Sequence, residues 1–416
     1  MKRRQFFSLL GGAALAPFTA LPVYADPSDR CGVPVARDDG WPVASVDEDT
    51  LIDRTALCRT ADRLTASDAN IHAVLVARGG KLLFERYFSG SDEINSHPAG
   101  KVTFDADTLH NVKSVTKSVV SLAIGIAIDR GLIGSINQPI FSFFPELSDL
   151  RTPEKDRIQL VHALTMSIGL KWVEAIPSNE DNNDEGRMHM APDPCRYVLG
   201  LAATAPPGQE FFYNTGALTL LSAIIRKATG RPLDEFARTN LFEPMGITGA
   251  EWIRVKGDSD AGGGLRLRAR DMAKIGQLVL AGGRWNDRQI VPKAWIDASM
   301  TPRIEATGPY FYGYLWWLGR SLHNGREVHW AGALGRGGQS IRIVPELDLV
   351  VVVTAGYYQD YSPRAFQVQS GVFRDVLRAI RLRAERYVLL RRPTPAARAS
   401  APVPSTNSAA ARRCAG

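Results

Sequence analysis

The sequence predicts an α/β fold of the α+β type, in which helices flank one antiparallel sheet and a helical region is inserted between the strands. Two β-hairpin patterns lie far apart, at residues 73–87 and 340–353, and much of the chain between them has helical apolar spacing. The continuous apolar run at 119–128 is typical of a buried helix. Strands that bracket helices pack most simply as one sheet built from both ends of the chain, with a cleft beside the helices.

The first 25 residues have the pattern of an export signal. The basic pair Arg3-Arg4 precedes a short apolar stretch at 6–21, and Val23-Tyr24-Ala25 places small residues where a signal peptidase cuts. This start resembles a twin-arginine signal, which predicts a periplasmic or secreted protein. The alternative is a membrane anchor, but two glycines and a proline interrupt the stretch, which is short for a bilayer span.

Residues 26–70 are predicted to be an irregular lead-in to the main domain, which covers 71–390. The chain has four cysteines, and their spacing fits no metal site. In an oxidising compartment Cys31 and Cys58 could form a disulfide. The sequence leaves the pairing open, and Cys195 is equally compatible with a free buried thiol, while Cys414 lies near the end of the chain.

The elements of the main domain follow in order. A hairpin turns at Gly79-Gly80, because two glycines between apolar runs favour a tight turn. The buried helix comes next, and a helical insertion is predicted at about 150–255. The helical patterns fall at 161–165, 218–228, 233–241 and 270–280. A second hairpin turns at 345–348, and a last helix is predicted from Ala365 to about Leu389.

Residues 391–416 are rich in proline, alanine, serine and arginine and have no apolar period, so they are predicted to be a disordered tail. The net charge of +7 comes from the two ends of the chain, because residues 1–25 and 391–416 contain basic but no acidic residues. The remaining body offers no excess of basic residues, which argues against nucleic-acid binding. We expect neither a nucleic-acid partner nor a stable membrane span, and the oligomeric state is open.

Ser114 and Lys117 are the candidate nucleophile and general base. They stand three residues apart at the start of the buried helix, so their side chains lie on one face, one turn apart. The helix N-terminus adds unpaired N–H groups beside the serine oxygen. A serine hydroxyl needs a base, and burial lowers the pKa of a lysine enough to make it one. The alternative is a serine at a helix start beside a surface lysine.

Two further segments carry candidate groups. Tyr213 stands on a loop just before the helix at 218–228, from where it could reach a cleft and move a proton; the alternative is a packed core tyrosine. The small residues at 331–338 feed a strand, and backbone N–H groups near Gly335 and Arg336 could hold an oxyanion along a strand edge. The alternative there is a glycine-rich turn between strands.

Together these motifs resemble the serine β-lactamase and penicillin-binding-protein superfamily, in particular the class C β-lactamase-related branch of esterases and 6-aminohexanoate-dimer hydrolases. The resemblance covers roughly residues 70–385. Beyond the short motifs, it rests on residues 110–117, 164–170, 241–247, 263–267 and 312–317. It implies a β-lactamase-like fold and two-step acyl transfer, with Ser114 as the acylated nucleophile, Lys117 as its base and Tyr213 as the tyrosine of the family's Tyr-x-Asn motif.

The chain departs from the family pattern at two places. Thr215 stands where the family has the asparagine that contacts the amide of β-lactam substrates. The preferred match to the family's Lys-Thr-Gly or His-x-Gly motif begins at Ala333, which leaves no cation there, and His329 could fill the place only with an insertion. Both departures argue against β-lactams and D-Ala-D-Ala peptides.

We therefore expect an exported serine hydrolase that cleaves a small ester or amide. The alternatives are a β-lactamase or D-Ala-D-Ala peptidase, and a non-catalytic member that binds cell-wall peptide or another ligand. The polar segment Glu174–Pro194, which groups Asp181, Asp184 and Glu185, is either a solvated surface loop or a lid that attracts a substrate amine. No histidine spacing indicates a metal site, and no organic cofactor is expected. The three glycines at 262–264 are predicted to be a turn before a strand at 265–267.

Overall fold

The computed structural model describes residues 31–174 and 182–381. Its main feature is an eight-stranded antiparallel sheet with the strand order β12-β13-β14-β15-β16-β17-β1-β2. The strands are β1 (Ile71–Arg78), β2 (Lys81–Tyr87), β3 (Ser89–Ile94), β4 (His97–Thr103), β5 (Leu109–Asn111), β6 (Glu251–Trp252), β7 (Arg254–Val255), β8 (Asp258–Ser259), β9 (Leu265–Arg268), β10 (Arg284–Trp285), β11 (Arg288–Gln289), β12 (Ile304–Glu305), β13 (Phe311–Tyr312), β14 (Trp317–His323), β15 (Arg326–Gly335), β16 (Gln339–Val344) and β17 (Leu349–Ala355).

The two ends of the domain meet in the middle of this sheet. Strand β1 pairs with β2 across the Gly79-Gly80 turn and, on its other side, with β17, where Leu75 lies opposite Val352. Strands β16 and β17 form the second hairpin. The predicted α+β fold with one antiparallel sheet built from both ends of the chain is therefore confirmed.

Helices cover both faces of the sheet. They are α1 (Arg54–Ala66), α2 (Val115–Asp129), α3 (Leu160–Leu164), α4 (Asp184–Met190), α5 (Pro194–Gly200), α6 (Thr215–Thr229), α7 (Leu233–Ala237), α8 (Ala269–Leu280), α9 (Lys293–Ser299) and α10 (Arg364–Ala379). Val350 and Val352 on β17 belong to the core that includes α2 and α8, whereas α1 and α10 pack together and α10 also contacts β17. Because side chains alternate along a strand, one sheet serves two cores.

Helix α8 sits close to the sheet because of a glycine. A Cβ atom at Gly276 would lie 2.5 Å from Val350 and 2.8 Å from Ile341. Helix α6 is capped at its start by Asn214, whose side chain accepts a hydrogen bond from Ala217 N, and at its end by Gly230 in the left-handed conformation. Both ends use the residues that such caps favour.

Two predicted boundaries differ from the structure. The C-terminal helix ends at Ala379, because Ile380 leaves the helix and forms a bridge with Ile52; residues 382–389 lie outside the described residues. The segment predicted as an irregular polar loop contains the short helix α4, which Asn183 caps through a hydrogen bond from Gly186 N. Asp181 lies outside the described residues.

The lead-in predicted to be irregular contains the helix α1, because Asp53 caps its start through a hydrogen bond from Ala56 N. A disulfide between Cys31 and Cys58, whose Cα atoms are 5.8 Å apart, ties the beginning of the lead-in to this helix. Cys195 is a free, half-buried thiol. The predicted signal at 1–25, the predicted tail at 391–416 and Cys414 lie outside the described residues and remain predictions. Throughout the described ranges, every helix falls short of the length and apolar character needed to cross a bilayer.

Candidate active site

Ser114 and Lys117 meet at the start of α2. The Lys117 Nζ donates a hydrogen bond of 2.9 Å to Ser114 Oγ and another of 2.7 Å to the Gly262 carbonyl oxygen. Lys117 is buried, whereas Ser114 is partly exposed. The glycine turn before β9 therefore has a contact that the sequence did not indicate, since it receives the lysine ammonium from a position 145 residues away.

Strand β15 brings backbone N–H groups towards Ser114. A Cβ atom at Gly335 would lie 2.3 Å from the Val112 carbonyl oxygen and 3.2 Å from Ser114 N, so only glycine allows this approach. The predicted edge strand is an interior strand over most of its length, because β14 pairs with it as far as Gly332. Ala333 to Gly335 continue beyond β14 and pair with β16 alone, which leaves one side of this short segment open.

Arg336 follows this open segment. It is exposed, and its guanidinium carbon lies 3.6 Å from the ring centroid of Tyr361. The region matched to the family's Lys-Thr-Gly or His-x-Gly motif therefore does carry a cation at the cavity. This cation, Arg336, lies three residues beyond Ala333, where the family pattern places one.

Tyr213 is held beside the lysine. The ring of Tyr213 stacks on Trp317 at 5.9 Å between centroids, and the Lys117 Nζ lies 5.0 Å from the Tyr213 centroid. The loop is fixed because Phe212 N donates to the Met166 carbonyl oxygen at 2.7 Å and Asn214 caps α6. Ser114, Lys117 and Tyr213 thus come together as the sequence predicted, although their roles are still to be tested.

Glu174 is a site residue that sequence reasoning missed. Its carboxylate accepts hydrogen bonds from Thr215 N at 2.7 Å, from Thr215 Oγ1 at 3.0 Å and from the Trp172 indole. A carboxylate is favourable at the first turn of a helix such as α6, where N–H groups are unpaired. The partners are 41 residues apart, so no local spacing could have indicated the contact.

The predicted group of acids is divided by α4. Asp184 is buried and accepts hydrogen bonds from Val173 N and the Tyr197 hydroxyl, which gives it a structural role. Glu185 instead lines the same cavity as Ser114. Burial, and next the carboxylate of Glu174, raise the pKa of Glu185 above its usual range.

The protonation of the lysine differs from the expectation that burial would lower its pKa. Burial does act in that direction, but Tyr213, Glu174 and Glu185 outweigh it and raise the pKa of Lys117. Burial likewise raises the pKa of Tyr213, against the opposing effect of the Lys117 ammonium. At neutral pH the resting pair is therefore protonated, and one proton must leave before it can act as a base.

Ser114, Tyr213, Glu174 and Glu185 line one cavity of about 690 Å³, and Lys117 is buried behind Ser114. Its charged lining includes Glu174, Glu185 and Asp260, together with Lys113 and Arg336. Its aromatic lining includes Tyr213, Trp317, Tyr310, Phe366 and Tyr361. Within 31–174 and 182–381, no cluster of three or more His, Cys, Asp or Glu side chains could hold a metal ion. The site combines the Ser114 hydroxyl, the Lys117 amine, the Tyr213 hydroxyl and converging backbone N–H groups. Acyl transfer through a covalent intermediate requires groups of these kinds.

The model of the β-lactamase family matches residues 62–366 of this chain. The chain belongs to the β-lactamase family. It is accordingly a serine hydrolase with the β-lactamase-like fold, and the resemblance inferred from the motifs is confirmed.

Named relatives of this β-lactamase-family chain include enzymes with several activities. A 6-aminohexanoate-dimer hydrolase of Paenarthrobacter ureafaciens is 26% identical over 329 residues, which cover 74% of this chain and 78% of that protein. The esterase EstB of Burkholderia gladioli is 26% identical over 189 residues, 42% of this chain and 44% of EstB. The structure of EstCE1, a hydrolase with promiscuous acyltransferase activity, matches with a TM-score of 0.62 and 16% identity, covering 77% of this chain and 99% of that one. This last match supports the fold alone.

Proposed function

We propose that this chain hydrolyses a small ester or amide through an acyl-enzyme on Ser114. The observation that carries the proposal is the 2.9 Å contact between the buried Lys117 Nζ and Oγ of Ser114, which lines the cavity. A nucleophile within hydrogen-bond reach of its base is the arrangement that covalent catalysis requires. The names of the relatives, a 6-aminohexanoate-dimer hydrolase and an esterase, support the class of substrate.

In the acylation step, the Lys117–Tyr213 pair in its singly deprotonated form takes the proton of Ser114 Oγ, and the oxygen attacks the substrate carbonyl carbon. The resulting oxyanion accepts hydrogen bonds from Ser114 N–H and from an N–H at Gly335 or Arg336. The close approach of β15 to Ser114 N supports this pairing of donors. Removal of one such donor typically slows a reaction by about 10²–10³-fold.

In the second half of the reaction, the proton held by the pair passes to the leaving alcohol or amine. Water then attacks the acyl-enzyme, with the same pair taking its proton, and Ser114 regains its hydrogen when the acid product leaves. Tyr213 is suited to relay this proton because the centroid of its ring lies 5.0 Å from Lys117 Nζ, beside the contact between Lys117 and Ser114.

The lining of the cavity supports a substrate that carries a protonated amine. Glu174 and Glu185 place negative charge close to Lys117, and Thr215 donates its hydroxyl hydrogen to Glu174. The residue at the third position of the Tyr-x-Asn motif is therefore engaged by the protein. This favours amino-substituted esters or amides over β-lactams.

We also propose that the protein is exported to the periplasm or secreted. The twin-arginine-like pattern at 1–25 supports export, and the Cys31–Cys58 disulfide is of the kind that persists in an oxidising compartment.

A panel of substrates tests this proposal. We expect the purified protein to hydrolyse p-nitrophenyl esters of short acyl and aminoacyl groups or a linear amide, and to be much slower with the β-lactam nitrocefin. Ser114→Ala should abolish the hydrolysis. Fast nitrocefin hydrolysis would favour a β-lactamase, and binding without turnover of any substrate would favour a non-catalytic member of the family.

A further inference from the structure

The backbone immediately before Ser114 is in a conformation that L-residues avoid. Lys113 has φ of 50°, in the left-handed region, although it is not a glycine. This conformation costs a non-glycine residue about 1–2 kcal/mol. Because Lys113 shares a peptide bond with Ser114, any relaxation of its φ would displace both Ser114 N–H and Ser114 Oγ. Something in the surrounding structure must therefore hold Lys113 in place.

The side chain of Glu93 is placed to do so. Glu93 Oε1 lies 2.9 Å from Lys113 Nζ, and Glu93 Oε2 accepts a hydrogen bond of 2.7 Å from Gln359 Nε2. The backbone carbonyl of Glu93 accepts a further hydrogen bond of 2.5 Å from Asn111 Nδ2. Glu93 thus contacts the residues on both sides of Val112. Its side chain is only 6% exposed, so the ion pair is protected from solvent screening.

An irregularity in the hairpin of β3 and β4 directs the side chain of Glu93 towards Lys113. The register of the two strands shifts between Asp92 and Glu93, and both consecutive residues are buried instead of alternating. A β-bulge has this effect, because the extra residue redirects the side chain that follows it. Asp92 is buried beside Glu93, while the side chain of Glu93 is directed to Lys113.

The carboxylate of Glu93 also connects Lys113, which precedes Ser114, to a segment that lines the cavity. Gln359 and Tyr358 belong to the segment between β17 and α10, and Lys113 Nζ lies 5.1 Å from the centroid of Tyr358. Tyr361 of this segment stacks on Arg336, which follows the end of β15. Glu93 therefore lies where three parts of the chain meet: the residues just before Ser114, the segment between β17 and α10, and the β3–β4 hairpin.

We propose that Glu93 is a positioning residue, which fixes the N–H and the Oγ of Ser114 by holding Lys113 in its left-handed conformation. The inference rests on the proposed function, since it assigns Glu93 a role in that reaction. Glu93 acts through Lys113 and does not itself enter the chemistry. Loss of its charge should therefore slow acylation while leaving the binding of substrate largely unchanged.

The first test is Glu93→Gln, which keeps the size of the side chain and removes its charge. We expect the rate of acylation by a fluorophosphonate probe and the kcat for a p-nitrophenyl ester to fall by about 10²-fold, as misplacement of a reacting group by about 1 Å can do. KM should change little. A matched control is Glu85→Gln, because Glu85 is also 6% exposed and pairs with Arg270 elsewhere in the fold. This control should lower the thermal stability without slowing acylation.

The second test uses the freedom of glycine. Glycine adopts the left-handed conformation without a steric penalty, so Lys113→Gly removes the need for a partner. We expect the double variant Glu93→Gln/Lys113→Gly to acylate faster than Glu93→Gln alone, which a general loss of stability would not produce. Failure of the rescue, or an acylation rate of Glu93→Gln equal to that of the wild type, would overturn the role of Glu93. Absence of labelling and hydrolysis in the wild type would instead overturn the proposed function, and this inference with it.

Discussion

Glu174 changes the chemistry expected of the lysine in this site. Burial alone would lower the pKa of Lys117, but Tyr213 and then the carboxylates of Glu174 and Glu185 raise it and keep the ammonium form favoured. The same carboxylates offer a counter-charge for a substrate amine. Under the proposed function, we expect both reactivity and substrate preference to depend on these two residues, neither of which belongs to the motifs that identify the family.

A pH profile tests this electrostatic arrangement. Because the pKa of Lys117 is raised, one proton must leave the Lys117–Tyr213 pair, so kcat/KM for a neutral ester should rise with pH into the alkaline range. Glu185→Gln removes a negative charge that favours the ammonium, and should shift this rise to lower pH. The exposed Glu210→Gln serves as the control and should leave the profile unchanged. A profile of Glu185→Gln that is unmoved, or moved to higher pH, would contradict the account.

Gly335 gives a second test at the scale of a single residue. The Cβ of Gly335→Ala would lie 2.3 Å from the Val112 carbonyl oxygen, which is backbone and cannot easily move. We expect β15 to be pushed away from Ser114 and kcat to fall by about 10²–10³-fold, as with the loss of one oxyanion donor. Gly371→Ala on α10, where a Cβ meets no atom within 4 Å, is the control. Equal kcat values for the two variants, both folded, would count against an oxyanion donor at this position.

At the scale of elements, local signals in the sequence were sufficient for the frame of the fold. The turn at Gly79-Gly80 and the apolar run of α2 have short-range patterns, and both were predicted correctly. Contacts between distant segments have no such pattern, as in the cases of Glu174 with Thr215 and Glu93 with Lys113. Helix α4 was missed because its stability comes from the Asn183 cap and from packing, while its polar composition favoured a loop.

A column of stacked rings joins β1 to β5 and predicts a sensitivity to acid. His72 stacks on Phe104 at 3.8 Å, and Phe104 on His110 at 5.1 Å. Burial lowers the pKa of His72 to about 4 and that of His110 to about 3. Both pKa values are below the unfolded value of about 6.5, so folding favours the neutral imidazoles. The stability that comes from burying them uncharged is complete above that pH and is lost as the pH falls towards 3.

His110→Phe tests this column by removing one buried group that must be charged in acid. We expect the acid-unfolding midpoint, followed by circular dichroism, to move to lower pH than in the wild type. His97→Phe changes an exposed histidine and should leave the midpoint where it is. A midpoint of His110→Phe at or above that of the wild type would show that the buried rings do not govern acid unfolding.

At the scale of the whole molecule, the disulfide ties the beginning of the lead-in to α1 and closes a loop with a sequence separation of 27. Such a crosslink stabilises a protein by about 2–4 kcal/mol. We expect the variant Cys31→Ser/Cys58→Ser to have a lower free energy of unfolding by about this amount. A reducing agent should lower the unfolding temperature of the wild type but not that of the variant; equal responses would contradict the prediction.

The sheet explains why one site can draw on segments from the whole chain. Ser114 and Lys117 start the helix that packs on the sheet, Tyr213 comes from the helical region, and Gly335 comes from a strand near the C-terminal end. The sequence predicted these members because each stands in a motif of the family. It could not predict the residues that set their charge and position, since those depend on how the parts are folded together.

Covalent labelling of the Ser114 hydroxyl is the decisive test of whether this residue is the nucleophile. The full chain is incubated with a fluorophosphonate, and the product is analysed by intact mass and peptide mapping. We expect one adduct per chain on the peptide that contains Ser114, and none in Ser114→Ala. An unlabelled wild type, or equal labelling of Ser114→Ala, would contradict the account.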